Sequence, residues 1–134
     1  MKPAILLSLL SLVSASVMDC SNGGSLFKLS SMSFTPDPTV PGVNSTLLLS
    51  MSVPEEINGG TATYTTTYNF IPFTPTVDAL CDITVPCPIA IGTLDTVSTY
   101  PIDPTLSGSL SVKVEWKDQT ARQLLCVLIK TKLG

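Results

Sequence analysis

The chain contains no histidine. That removes the general base of every Ser-His-Asp or Cys-His hydrolytic site. It also removes the usual companion of cysteine at a zinc centre. Charge is sparse: 13% of the 134 residues are Asp, Glu, Lys or Arg, and the net charge is −3. Nucleic-acid binding needs a basic face, so that class drops out. Glu55 and Glu56 are adjacent, and on a strand adjacent side chains point to opposite faces, so they are no acid–base pair. The Gly59-Gly60 pair lies between strand-like runs with no helix after it, so it is no phosphate cradle. The expectation is no enzyme, no catalytic residue, no metal and no cofactor.

Long apolar runs are also missing, apart from one short stretch at the start. Residues 4–13 are apolar except for Ser8 and Ser11, behind a positive Met1-Lys2. Val13-Ser14-Ala15 offers the small residues that a signal peptidase cuts after. The stretch is too short to span a bilayer core of roughly 30 Å. The expected organisation is a signal peptide over residues 1–16 and one domain over residues 17–134. Export places the domain in a secreted or endosomal/lysosomal lumen.

That setting is oxidising, and it gives the cysteines their meaning. Cys20, Cys81, Cys87 and Cys126 are expected to form two disulfides, and four cysteines allow three connectivities. The close spacing of Cys81 and Cys87 makes a local bridge plausible, but the residues alone do not choose. Asn44-Ser45-Thr46 fits the N-glycan acceptor pattern, which export makes meaningful. The charges are sorted along the chain. Lys113, Lys117, Arg122, Lys130 and Lys132 crowd the last quarter, and most acids precede Pro104. The plain reading is a solvated surface. The functional reading is weak steering of one edge toward anionic lipid headgroups.

Proline and glycine punctuate runs of Thr, Val, Leu and Tyr, which is the pattern of many short strands in a sandwich or barrel. Over residues 61–70 the even positions are Ala62, Tyr64, Thr66, Tyr68 and Phe70, and the odd positions are four threonines and Asn69. Over residues 110–116, Leu110, Val112, Val114 and Trp116 alternate with Ser111, Lys113 and Glu115. Each predicts a strand with one apolar and one polar face. Leu47, Leu49, Met51 and Val53 make a third such face. Residues 124–129 are apolar on both faces, as in a strand covered on two sides. The alternation Phe27–Leu29 shifts phase at Met32–Phe34, which predicts a bulge near Ser30. Residues 93–100 form a weaker strand. Asn58-Gly59-Gly60 predicts a hairpin turn, and residues 117–120 predict a second hairpin tip. Residues 36–42 and 101–108 read as loops. The total is about seven strands.

These residues resemble the ML family of lipid-recognition domains. The anchors are Asp19-Cys20, Cys81 with Cys87-Pro88-Ile89, Gly92, Val114-Glu115-Trp116 and Leu125-Cys126. The proline-rich segment with Pro36, Pro38, Pro41 and Gly42 is similar to the fungal and protist phosphatidylglycerol/phosphatidylinositol transfer proteins. The family also includes the Niemann–Pick type C sterol carrier. The resemblance implies an all-β, two-sheet immunoglobulin-like sandwich with a lipid cavity between the sheets. It pairs Cys20 with Cys126 and Cys81 with Cys87. No cysteine lies between Ser21 and Leu80 to make the third bridge of the animal sterol carriers.

The resemblance also implies wall residues. Phe73 of Ile71-Pro72-Phe73 stands eight residues before Cys81, as a pocket aromatic does in the sterol carriers. Tyr100 of Tyr100-Pro101 matches a second pocket residue. Thr96 replaces a pocket valine, and the stretch from Tyr100 to Trp116 is longer than in the animal carriers. Both departures put sterol selectivity in question. Tyr64, Tyr68, Phe70, Ile89, Val97, Val112 and Val114 are further wall candidates. All of these residues would serve equally as plain core, since a pocket wall and a core wall share one composition. The first functional expectation is a soluble exported carrier of one sterol or phosphatidylglycerol/phosphatidylinositol-type phospholipid. Its partners would be the lipid, a membrane touched transiently and a membrane-protein acceptor. The second expectation is an immunoglobulin-like protein-recognition module without lipid transfer.

Overall fold

The computed structural model describes residues 15–133. The signal segment expected over residues 1–16 therefore lies almost wholly outside the described residues. The described chain forms nine strands and one short helix: β1 (Ser16–Asp19), β2 (Lys28–Thr35), β3 (Ser45–Val53), β4 (Gly60–Tyr68), β5 (Ile71–Pro72), β6 (Thr76–Ala79), α1 (Leu80–Ile83), β7 (Gly92–Tyr100), β8 (Gly108–Asp118) and β9 (Gln123–Leu133). No helix among the described residues is long and apolar enough to cross a membrane.

Two antiparallel sheets pack face to face. One has the order β1-β9-β8-β4-β5, with β6 also paired to β4. The other has the order β2-β3-β7. The alternation in β4 and β8 dictates the inner face of the larger sheet. Residues directly opposite on neighbouring strands share a face, so four rows run across it. From one end to the other they are Ala62–Trp116–Leu125, Tyr64–Val114–Val127, Thr66–Val112–Ile129 and Tyr68–Leu110–Thr131. The smaller sheet faces them with Leu47, Leu49, Met51 and Val53, all buried, while Leu48 on the back is exposed. Phe27 meets Trp116 edge-on at 6.4 Å between ring centres. The first two rows, with Leu49, Met51, Val53 and Phe27, fill the upper half of the sandwich.

The bulge expected near Ser30 is present as a register shift between Leu29 and Ser31. Residues 124–127 of β9 are buried on both faces. Both bridges implied by the resemblance are formed, Cys20–Cys126 and Cys81–Cys87. The first closes a separation of 106 residues. In the chain-entropy model a loop of that length contributes roughly 4 to 5 kcal/mol. The Cys20 N–H also donates to the Cys126 carbonyl at 3.0 Å, extending the β1–β9 ladder.

Two expectations fail. Asn58-Gly59-Gly60 is not a hairpin turn, because β3 and β4 belong to different sheets. The glycine serves a close approach instead. Gly60 has φ +152, and a Cβ there would stand 2.0 Å from the Lys117 carbonyl oxygen of β8. The strand expected over residues 61–70 stops at Tyr68, because Asn69 and Phe70 both take left-handed φ values of 49° and 68°. That turn sends the chain back as β5 and β6 along the edge of β4. These pieces, together with β1, raise the strand number from about seven to nine among the described residues.

The tip between β8 and β9 is built on one carboxylate. Asp118 Oδ1 accepts from the Thr120 hydroxyl at 2.7 Å, the Thr120 N–H at 2.9 Å and the Arg122 N–H at 3.0 Å. Its Oδ2 accepts from Arg122 Nε at 3.0 Å, and Arg122 also pairs with Glu55. The Thr120 hydroxyl, with the backbone N–H groups and the guanidinium, lowers the Asp118 pKa to about 2 against the opposing effect of burial. A carboxyl held below its unfolded pKa of about 3.9 stabilises the fold fully above that pH. The contribution is lost as pH falls through about 2. Asp118→Asn should therefore lower the melting temperature at neutral pH and at pH 5. The gap to the parent should close between about pH 4 and pH 2. Thermal melts across that range check it.

Candidate functional site

The lower half of the sandwich is not filled. The two lower rows, Thr66–Val112–Ile129 and Tyr68–Leu110–Thr131, wall one side of a cavity of about 240 Å³. The smaller sheet supplies Phe34 and Tyr100, whose rings tilt against each other at 6.2 Å. Pro101, Ile102 and Leu106 close the floor, and Phe73 stands at the rim, 51% exposed.

Each wall has a local cause. Phe73 is anchored by its N–H, which donates to the Thr66 carbonyl at 2.8 Å where the β5–β6 edge is interrupted. Tyr100 ends β7 and precedes Pro101, which cannot extend a ladder for want of an N–H. The loop over residues 101–107 then folds inward. The Ile102 carbonyl accepts from the Gly42 N–H at 2.8 Å, and the Ser107 N–H donates to the Tyr68 hydroxyl at 3.0 Å. Ile102 is thereby buried and turned to the cavity. The inner row of the smaller sheet carries Ser98 opposite Leu47, where the rows above carry Thr96 and Leu94. A serine fills less volume, so space is left at this corner, and Ser98 lines a void there.

A second, more open cleft of about 560 Å³ adjoins the cavity and shares Thr66, Tyr100 and Val112 with it. Its lining is mixed: Tyr64, Thr76, Asp78, Asp82, Ser98 and Thr99 beside Ile83 and Val97. It opens between the free edge of β7 and the β6–α1 segment. Burial, then the neighbouring Tyr64, pushes the Tyr100 phenol up to about 12, against a hydrogen bond from Ser98. Burial and then Asp78 raise Tyr64. Both tyrosines are neutral hydroxyls on the boundary between an apolar and a polar void.

The structure therefore brings Phe73, Tyr100, Tyr68 and Val112 together around the cavity. Tyr64 and Val97 line the adjoining cleft. Ile89 and Val114 face neither void; both are packed in the solid upper core, Ile89 through a bridge with Ile57. Phe70 points away from the interior, because the left-handed turn reverses the alternation that put it in phase with Tyr68. Thr96 is likewise packed rather than cavity-lining. Sequence reasoning missed Phe34, Leu110, Ile129, Thr131, Ile102 and Leu106 as walls. Leu110 and Ile129 shared the alternation that picked out Val112, but alternation marks a face and not which end of it is left empty. Ile102 and Leu106 had only their apolar character in a proline-rich loop. Asn44 is exposed just before β3.

A family model described as the ML domain matches residues 14–133. A comparison with curated protein sequences returns no match. Among solved structures, a Niemann-Pick type C2 protein from the Japanese carpenter ant is similar with a TM-score of 0.67 and 16% identity, over 89% of this chain and 99% of that one. Chicken MD-1 complexed with lipid IVa is similar with a TM-score of 0.66 and 12% identity, over 91% of each chain. The architecture also recurs in 32% of a Pseudomonas fluorescens alkylpurine DNA glycosylase bound to DNA, with a TM-score of 0.51 and 12% identity over 85% of this chain. At these identities the structural likenesses establish the fold, and the site must carry the function.

Thr96 gives a direct test of packing beside the site. It is buried, and its hydroxyl has no hydrogen-bond partner among the described residues. An unpaired buried hydroxyl costs about 1 to 3 kcal/mol. Thr96→Val keeps the shape and removes that cost, so it should raise stability by about 1 kcal/mol or more. Denaturant unfolding measures it.

Proposed function

Given that the chain belongs to the ML-domain family, we propose that it is an exported lipid carrier that holds one sterol or phospholipid between its sheets. The observation that carries this reading is the unfilled, apolar lower half of the sandwich, walled by both sheets and open at the Phe73 rim. A ligand pocket ordinarily measures about 300 to 1,000 Å³. The cavity alone falls short at about 240 Å³, and the shared cleft adds about 560 Å³. The lipid in this reading spans both: hydrocarbon among Phe34, Phe73, Tyr100 and Val112, polar head among the hydroxyls of the cleft. Each methylene taken from water contributes roughly 0.8 kcal/mol. Affinity then needs no charged contact, in keeping with a cavity without Lys or Arg among its lining residues.

The role in this reading is to extract, shield and deliver, between a membrane touched transiently and an acceptor that includes a membrane protein. Two disulfides support a secreted or endosomal/lysosomal lumen as the setting. Asn44, exposed and in an acceptor sequence, is the proposed glycan site. We assign no enzymatic role, since the cavity offers apolar walls and hydroxyls, and the cleft's carboxylates, Asp78 and Asp82, have no histidine or free cysteine beside them to activate.

Organic extraction of the purified protein followed by mass spectrometry should recover a lipid in near-equal amount to the protein. The delipidated protein should take up a fluorescent sterol or phospholipid. Phe73→Trp enlarges the rim side chain and should weaken uptake about tenfold, with an unchanged circular dichroism spectrum and melting temperature. A protein that carries no lipid and takes up neither probe would leave only the protein-recognition reading.

A further inference from the structure

We propose that the Asn69-Phe70 turn and the lysine-bearing outer face of the six-stranded sheet form a docking edge for an anionic lipid bilayer. The proposal deepens the carrier reading and rests on it for its purpose, because it names the surface by which the cavity end would meet its donor membrane.

The first observation is an aromatic side chain held out in water by a rigid turn. Phe70 is 87% exposed and Ile71 is 63% exposed. Phe70 has φ +68, a left-handed value that bulky residues rarely take. The turn is not frayed. The Asn69 N–H donates to the Ser109 carbonyl at 2.8 Å, Asn69 Oδ1 accepts from the Ser109 N–H at 2.8 Å, and Asn69 Nδ2 donates to the Ser107 carbonyl at 3.1 Å. Three hydrogen bonds thus fix a strained backbone that presents an aromatic to solvent. Such strain persists only where surrounding contacts impose it, and it concentrates at functional positions.

The second observation is charge. A shallow basin beside Phe70, on the outer face, is lined by Ser16, Thr67, Ser109, Ser111, Lys130 and Lys132. The neighbouring outer row is Thr65–Lys113–Leu128–Met18. Lys113, Lys130 and Lys132 are all exposed. Neither this row nor the Thr67–Ser111–Lys130–Ser16 row contains a carboxylate. The whole chain carries a net charge of −3, so attraction to an anionic surface requires this face to be turned toward it. An aromatic and an isoleucine project beside a patch of lysines. That combination matches a bilayer interface, where rings enter the headgroup layer and ammonium groups meet phosphates.

The third observation is position. Tyr68 and Phe73 flank the turn in sequence and line the cavity. Docking through Phe70 and Ile71 therefore brings the cavity rim to the membrane.

The test uses the mature protein and vesicles of phosphatidylcholine, with and without phosphatidylserine, read by co-sedimentation. The protein should bind the anionic vesicles preferentially, and added salt should weaken the binding. Phe70→Gly removes the ring and suits a left-handed φ, so the fold should be kept. It should lower partitioning about tenfold. Lys130→Gln with Lys132→Gln should cost about tenfold on anionic vesicles and nothing on neutral ones. Equal binding of both vesicle types, or parent-like binding by either variant, overturns the proposal. So does a dimer that Phe70→Gly dissolves, which would assign the turn to a second copy of the chain. Uptake of a monomeric fluorescent lipid without vesicles should be unchanged in both variants. Its loss from the parent protein with vesicle binding intact would sink the carrier reading and leave the docking edge standing.

Discussion

The incomplete filling of one end of the sandwich depends on the complete filling of the other. Trp116, Leu125, Val114 and Val127 of the larger sheet lock against Leu49, Met51 and Val53 of the smaller one, with Phe27 edge-on to Trp116. Protein interiors resist collapse into voids because neighbouring groups are already close-packed. The upper core therefore sets the spacing between the sheets. The lower rows inherit that spacing without the side chains to occupy it. A cavity in a two-layer β fold is stable on these terms, since the loss of contacts at one end is offset by dense packing at the other.

The open end is held by fastenings of a different kind. Hydrogen bonds from the 101–107 loop to Gly42 and to the Tyr68 hydroxyl carry Ile102 and Leu106 under the cavity. The Asn69 side chain clasps the start of β8. Gly108 belongs to the same device, because a Cβ there would stand 2.0 Å from Asn69 Oδ1. Directional bonds at loop ends keep the rim shaped while leaving its apolar surface uncovered. The Cys81–Cys87 bridge, which ties α1 to the turn after it, steadies the segment beside the polar cleft.

Much of the fold was legible because strand alternation is a local consequence of backbone geometry. The inner faces of β3, β4 and β8 follow it residue by residue, and the bulge near Ser30 showed as a phase shift. The hairpin misreading at Asn58-Gly59-Gly60 has a physical source. Glycine marks a tight turn and a close backbone approach with the same letter, and here Lys117 lies against Gly60. Phe70 was misplaced for the converse reason: Asn69-Phe70 carries no glycine, yet it turns left-handed because long-range bonds to residues 107–109 impose it. Of the residues expected to wall a pocket, Phe73, Tyr100, Tyr68 and Val112 lie around the cavity; Ile102 and Leu106 line it without having been expected, since a loop has no periodicity to betray which way it folds.

The amino-acid order by itself determined the strand class, the apolar faces, the absence of histidine chemistry and, through its anchors, the ML family. Those properties depend on neighbours in sequence or on composition, and neighbours in sequence are always present. Tertiary structure alone decided which end of the apolar face is packed and which is empty. It also decided that Ile89 and Val114 are core, and that Phe70 faces water beside Lys130 and Lys132. Each of these rests on which residues from distant strands meet across a layer. The sum of side-chain volumes at that meeting is a property of the assembled sheets, not of any one segment of the chain.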